Sequence, residues 1–303
     1  MHYSVLLNES IDLLNIKENG IYVDCTLGYA GHSKEILKRL KNGFLYAFDQ
    51  DMEAIKYSEE ELKKISNNFE IIHANFSSLK SELDNRGIDH VDGILFDLGF
   101  SSPQIDNESR GFSFMKDAAL DMRMDQTNKK SAYDVVNNYN LEDLTNIFYK
   151  YAEEKYSRSI AKNIISSRPI NTTLELVDVI KKSVPVSYAL TRHPERVIFQ
   201  AIRIEVNNEL GVLESTLPDA INLLNKDGRI AVITFHSLED RIVKHIFKSN
   251  SEVPDIVKGL PDIPDGYKPK IKLINKKPIV ASDREINENS RSKSAKLRVI
   301  ERV

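Results

Sequence analysis

A single cysteine, Cys25, occurs in the 303 residues, so no internal disulfide can form, and a reducing cytoplasm is the expected compartment. Long apolar runs are missing too. Val5-Leu6-Leu7 is too short for the core of a signal peptide, and no stretch approaches the ~18 apolar residues of a membrane span, so neither secretion nor membrane insertion is expected. There is no internal repeat and no low-complexity tract. The net charge of −3 is too small to speak for or against nucleic acid as a partner. What is present, 41% hydrophobic and 29% charged residues, suits a folded globular protein with enough chain for one large domain or two.

The small net charge conceals an asymmetry. From Gly266 onward, eleven Lys or Arg stand against four Asp or Glu, a local +7 that leaves −10 on the remainder. Such a separation suggests a C-terminal region that faces a polyanion, the alternative being a solvated tail.

Residues 20–97 alternate between strand and helix patterns. Strands are expected at 21–26, 44–48, 70–73 and 93–98, with helices at 33–40 and 52–64; Ile36, Leu37 and Leu40 share one face of the first helix. This alternation implies a parallel sheet in a Rossmann-like α/β frame. After Gln104 it stops. Leu141, Leu144, Ile147, Phe148 and Tyr151, then Ile160, Ile164 and Ile165, recur at helical spacing, and Thr172-Thr173 can cap a further helix that Pro185 ends. Residues 106–195 therefore read as an inserted all-helical domain, and 1–105 with 196–303 as a discontinuous sheet domain. A long amphipathic helix is expected over 195–217, a turn at Lys226-Asp227-Gly228, a strand at 229–235 and a closing strand at 295–302. Five of the ten prolines fall between Pro254 and Pro278, which predicts a long surface loop there.

Two short segments carry the chemistry. Asp24-Cys25-Thr26-Leu27-Gly28-Tyr29-Ala30-Gly31-His32-Ser33 follows the first strand, and Asp97-Leu98-Gly99-Phe100-Ser101-Ser102-Pro103-Gln104 follows the fourth. Both acids sit at strand C-termini, where open α/β sheets bind ligands. Gly28 and Gly31 before a helix start form a relaxed relative of the dinucleotide motif; Tyr29-Ala30 fills the interior that a pyrophosphate would approach, whereas S-adenosylmethionine carries no phosphate and accepts a looser loop. Asp49 ends the second strand twenty-one residues after Gly28, near the offset at which an acid meets ribose hydroxyls. A plain structural turn remains the alternative. At Asp97, the Ser-Ser-Pro-Gln loop can hold a flat base. An exocyclic amine there needs carboxylate or carbonyl acceptors to localise its lone pair, and positioning rather than a strong base carries the step. An acid that merely caps the loop is the other reading.

Other features read as structural. Cys25 is expected to pack, not to attack. Ser237 with Asp240 matches a capping-box variant, which leaves His236 a loop histidine. Asp121 and Asp125 lie four apart without an obvious third ligand, so no metal is expected. His32 suits cofactor shaping or capping better than general base work. Arg196 and Arg203 share a helix face and can meet phosphate or a carboxylate.

Taken together, the segments Val5-Leu6-Leu7-Asn8-Glu9, 24–33, 97–104, Arg110-Gly111-Phe112-Ser113-Phe114, 120–125, 199–204, 235–241 and Ser294-Ala295-Lys296-Leu297-Arg298 cover nearly the whole chain. In this order they resemble the RsmH (MraW) family, S-adenosylmethionine-dependent methyltransferases that form N4-methylcytidine in the decoding region of small-subunit (16S) rRNA. The chain departs from the family pattern at Ser4, at Tyr29-Ala30, and at Ser290 and Lys293. The resemblance implies a class I methyltransferase sheet with a helical substrate-recognition insertion. It places Asp24, Gly28, Ala30, Gly31, His32, Asp49, Phe76, Asp97 and Gln104 around S-adenosylmethionine, with Ala30, Gly31 and His32 on its methionine side, Asp49 on the ribose and Phe76 by the adenine. Asp97, Ser101, Ser102 and Pro103 would orient the cytosine amine. It implies a cytoplasmic enzyme whose partner is small-subunit rRNA or the small ribosomal subunit; a homodimer is one possible state. The alternatives are a nicotinamide-dependent dehydrogenase on the same frame and a non-catalytic ribosome-assembly factor.

Overall fold

The structure, a computed structural model, describes residues 4–99 and 108–303. It divides into two compact units, Met1–Gly99 with Leu210–Val303, and Phe100–Glu209.

The first unit is built on seven strands: β1 Ile21–Asp24, β2 Phe44–Asp49, β3 Phe69–His73, β4 Val91–Asp97, β5 Leu224–Thr234, β6 Ile271–Leu273 and β7 Lys296–Arg302. Their order across the sheet is β3-β2-β1-β4-β5-β7-β6. The first five are parallel, whereas β7 runs antiparallel between β5 and β6. This is a Rossmann-like, doubly wound sheet with one antiparallel strand inserted near its edge. Residues along each strand alternate between two buried faces: Val23, Phe96 and Val232 pack on one, Tyr22, Leu95 and Ala231 on the other. A sheet apolar on both sides needs helices on both, and their burial supplies the main folding force, ~1.5–3 kcal/mol per large side chain.

The chain walks outward from β1 to β2 and β3, then returns to place β4 on the opposite side of β1. The two crossovers therefore diverge between the C-terminal ends of β1 and β4, the switch point where such sheets leave a crevice. Asp24 and Asp97 are the last residues of those two strands.

The second unit is helical: Ala132–Asn138, Leu141–Ala152, Ser157–Ser166, Thr173–Lys182, Val186–Arg192 and Pro194–Asn207. They enclose a core that includes Val135, Leu144, Phe148, Ile164, Ile180 and Ile202. Helix starts follow local chemistry. Ser131 with Asp134, and Thr172 with Glu175, form reciprocal capping boxes, and Pro194 occupies a first-turn position where its missing N–H costs nothing.

Four expectations change. The helix expected over 195–217 is two helices, because Asn208 turns left-handed at φ 49° and ends the first. Pro194–Asn207 packs with the helical unit, and the chain returns to the sheet unit at Leu210 rather than at 196. The turn at 226–228 lies inside β5, where Asp227 adopts φ 63° and the pairing with β4 shifts register. Within the proline-rich loop, Ile271–Leu273 forms β6; only Ile271 of the three is buried, so three residues offered too little periodicity to be seen.

Candidate active site

The loop after β1 is anchored by its own carboxylates. Asp24 is 1% exposed. One of its oxygens accepts from the Thr26 amide at 3.0 Å and the other from the Ser33 hydroxyl at 2.7 Å, which ties the strand end to the helix Gly31–Arg39. Burial raises its pKa, and those bonds oppose the rise. Gly28 adopts φ 49°, and its amide donates to Asp49 Oδ2 at 2.8 Å; the other Asp49 oxygen accepts from the Asp51 amide at 2.8 Å. Burial lifts the Asp49 carboxyl to about 6. Ala30 is fully buried at φ 61°, in a left-handed conformation that glycine would favour. Gly31 is closely approached by Ser4: a Cβ there would lie 1.7 Å from Ser4 Oγ, so Ser4 would have to shift.

Across the switch point, the Asp97 amide donates to Thr26 Oγ1 at 2.7 Å, and the Thr26 hydroxyl reaches Asp24 at 3.4 Å. The two strand ends are thus coupled through one hydroxyl. Asp97 Oδ1 is buried without a hydrogen-bond partner among the described residues. Burial, then the negative charges of Asp24 and Glu239, push this carboxyl well above its ordinary range. His32 Nδ1 approaches Asp97 Oδ2 at 3.5 Å while Nε2 contacts the Val5 carbonyl at 3.2 Å. Phe76 packs edge-on to Phe96, with ring centroids 5.5 Å apart.

The structure therefore brings Asp24, Thr26, His32, Ser33 and Asp97 into one connected set, and joins Gly28 to Asp49 beside it. Ser101, Ser102, Pro103 and Gln104 lie outside the described residues. Thr26, Ser33 and Glu239 were not singled out from sequence. Ser33 offers a signal, a hydroxyl in the first turn of the helix that follows a strand-end acid; Glu239 offers none, because its approach depends on the fold.

Other candidates resolve as structure. Cys25 is buried, and burial followed by the Asp24 charge holds its thiol well above its usual value. The cap expected at Ser237 falls one residue earlier: Glu239 accepts from the His236 amide at 3.3 Å and its own amide donates to His236 Nδ1 at 3.4 Å. Asp121 is paired with Arg123 at 2.8 Å and Arg203 with Glu209 at 2.8 Å. Part of the basic C-terminal region is likewise neutralised: Arg298 and Lys296 both meet Asp240, and Lys272 meets Glu301.

Residues 1–303 match the model of a family described as the MraW methylase family. Ribosomal RNA small subunit methyltransferase H of Lactiplantibacillus plantarum is 52% identical over 309 residues, which span 100% of this chain and 97% of that protein. A crystal structure of an rRNA methylase from Streptococcus thermophilus aligns over 100% of this chain and 99% of its own, at 11% identity and a TM-score of 0.46. No helix among the described residues is long and apolar enough to cross a membrane.

Proposed function

The chain belongs to the MraW methylase family, and from that membership we propose that it methylates N4 of a cytidine in small-subunit ribosomal RNA, with S-adenosylmethionine as donor. The same membership sets aside the dehydrogenase alternative. The observation that carries the reading is the buried oxygen of Asp97 at the β1/β4 switch point, which has no hydrogen-bond partner among the described residues. An acceptor of that kind, beside a loop where Gly28 leaves only the Thr26 carbonyl within 4 Å of an added Cβ, suits a cationic donor and a base amine.

When bound, the cofactor supplies an electrophilic methyl group on a sulfonium. The chain supplies position. Asp49, held by the Gly28 amide, accepts from ribose hydroxyls; Phe76 offers an apolar face to adenine; Ala30, Gly31 and His32 shape the methionine end, while Asp24 anchors the loop through Thr26 and Ser33. Asp97 accepts a hydrogen bond from the cytosine amine, which concentrates its delocalised lone pair toward the methyl group, and Ser101, Ser102, Pro103 and Gln104 complete the base pocket. Residues 106–195 and exposed cations of the C-terminal region grip the RNA. The substrate, whether free rRNA or the small ribosomal subunit, places the enzyme in the cytoplasm.

The test is incubation of small subunits and their assembly intermediates with radiolabelled cofactor, followed by nucleoside analysis. Label at cytosine N4 is expected; labelled RNA with none at that atom overturns the assignment.

A further inference from the structure

We infer that Asp97 and His32 share one proton in the free protein, and that a cationic sulfonium expels this proton on binding whereas the neutral thioether left after transfer does not. The inference rests on the methyltransferase reading above and concerns how the site tells donor from spent donor.

The geometry fixes where the hydrogens are. A carbonyl only accepts, so the Val5 oxygen at 3.2 Å places the imidazole hydrogen of His32 on Nε2. Nδ1 then turns a lone pair toward Asp97 Oδ2 at 3.5 Å. His32 is 4% exposed and the Asp97 side chain 24%, and two lone pairs that face each other at 3.5 Å repel, a repulsion that a proton on one side turns into an attraction. Burial pushes the His32 imidazole down to about 4 and Asp97 well up, which leaves the proton on the carboxyl.

Among the described residues nothing else offsets an Asp97 charge. The titratable groups that face it are His32 from the helix Gly31–Arg39, Asp24 from the end of β1 and Glu239 from the helix Ser237–Ser251, and both acids oppose its ionisation. Among the described residues no lysine or arginine pairs with Asp97 or Asp24. The contrast with Asp24 is informative: each Asp24 oxygen receives a donor, whereas among the described residues Asp97 Oδ1 receives none.

A cation brought close to this carboxyl favours its ionised form, and the proton departs to solvent. Charge enters and charge leaves, so the donor binds as a neutralising exchange. The thioether brings no charge, and the carboxyl keeps its proton. By linkage, donor affinity rises with pH by up to about tenfold per unit while the free-protein carboxyl is protonated, and thioether affinity lacks this component.

The experiment is titration calorimetry of the full chain with S-adenosylmethionine and with S-adenosylhomocysteine, at one pH near neutrality in two buffers of different ionisation heat. Both ligands carry the same amino-acid group, so subtraction isolates the sulfonium. Up to one proton more is expected to be released by the donor than by the thioether, and the difference should vanish in Asp97→Asn. Equal proton counts for the two ligands overturn the inference and leave the methyltransferase reading standing; a difference that persists in Asp97→Asn also overturns it. Binding of neither ligand removes both. Should Asp97→Asn fail to fold, the pH dependence of the two wild-type affinities decides: parallel curves overturn the inference, and a donor curve steeper by up to about tenfold per unit supports it.

Discussion

The Gly28 amide donates to Asp49 Oδ2 at 2.8 Å, so the loop that follows β1 is tied to the end of the neighbouring strand β2 before any ligand arrives. The same carboxyl is half-buried and desolvation lifts it to about 6, which makes it both a fastener and a titrating group.

Asp49→Asn separates these roles. An acid whose folded pKa lies above its unfolded value contributes stability that is complete below the unfolded pKa and is lost as pH rises through the folded one. Over the window from about 4 to about 6, wild type should therefore lose up to ~3 kcal/mol relative to the variant, at 1.36 kcal/mol per pKa unit. Urea unfolding of both proteins at several pH values measures the difference; parallel curves refute it. The variant should also bind S-adenosylhomocysteine more weakly.

Asp240 should behave with the opposite sign. Its burial favours the neutral acid, but Arg298 and Lys296 overcome this and hold its pKa below the usual range. Its contribution is present above the ordinary carboxylate pKa and fades as pH falls through the depressed value. Asp240→Asn should lower stability at pH 7 and flatten the acid limb of the stability curve.

Gly31→Ala places a Cβ at 1.7 Å from Ser4 Oγ and 3.0 Å from Ser4 Cβ. An overpacking cost of ~1–3 kcal/mol is expected, with weaker cofactor binding. Ser4→Ala in the same chain removes the closest atom and should recover part of the loss, read as a non-zero coupling in a double-mutant cycle. Strict additivity would show that the two residues do not meet.

Asp97→Ala should lower methyl transfer to rRNA at saturating cofactor by at least ~100-fold, the scale at which a positioned polar group acts on developing charge. Undiminished turnover in a folded variant removes Asp97 from the reaction.

Lys276, Lys277 and Lys293 are exposed. Replacing each by alanine should weaken RNA binding for every sequence tested and reduce the salt slope by about one for each phosphate that the lysine had neutralised. An unchanged slope assigns the RNA grip elsewhere.

The parallel half of the fold was legible because buried strands bounded by helix patterns leave a periodic trace; the acids at 24, 49 and 97 stood out as the residues that end those traces. Three kinds of feature were not. Asn208 breaks a continuous amphipathic pattern by a backbone rotation that leaves the apolar spacing intact. β6 is three residues long, and β7 recruits it by backbone bonding rather than by side-chain pattern. The approach of His32 to Asp97, from residues far apart in the chain, is set by the packing of a helix start against a strand end, and local sequence carries no record of it. The C-terminal charge count was correct as a count, yet salt bridges to Asp240 and Glu301 consume several of those cations.

β7 has a consequence for biosynthesis. It pairs with β5 through residues such as Arg229 and Glu301, seventy-two positions apart. While the nascent polypeptide is still emerging, β5 presents a bare row of amides and carbonyls on that side, an invitation to foreign strands. Release from this hazard comes only when residues 296–302 have left the exit tunnel and inserted beside it, so slow translation of the intervening stretch should raise the demand for chaperones.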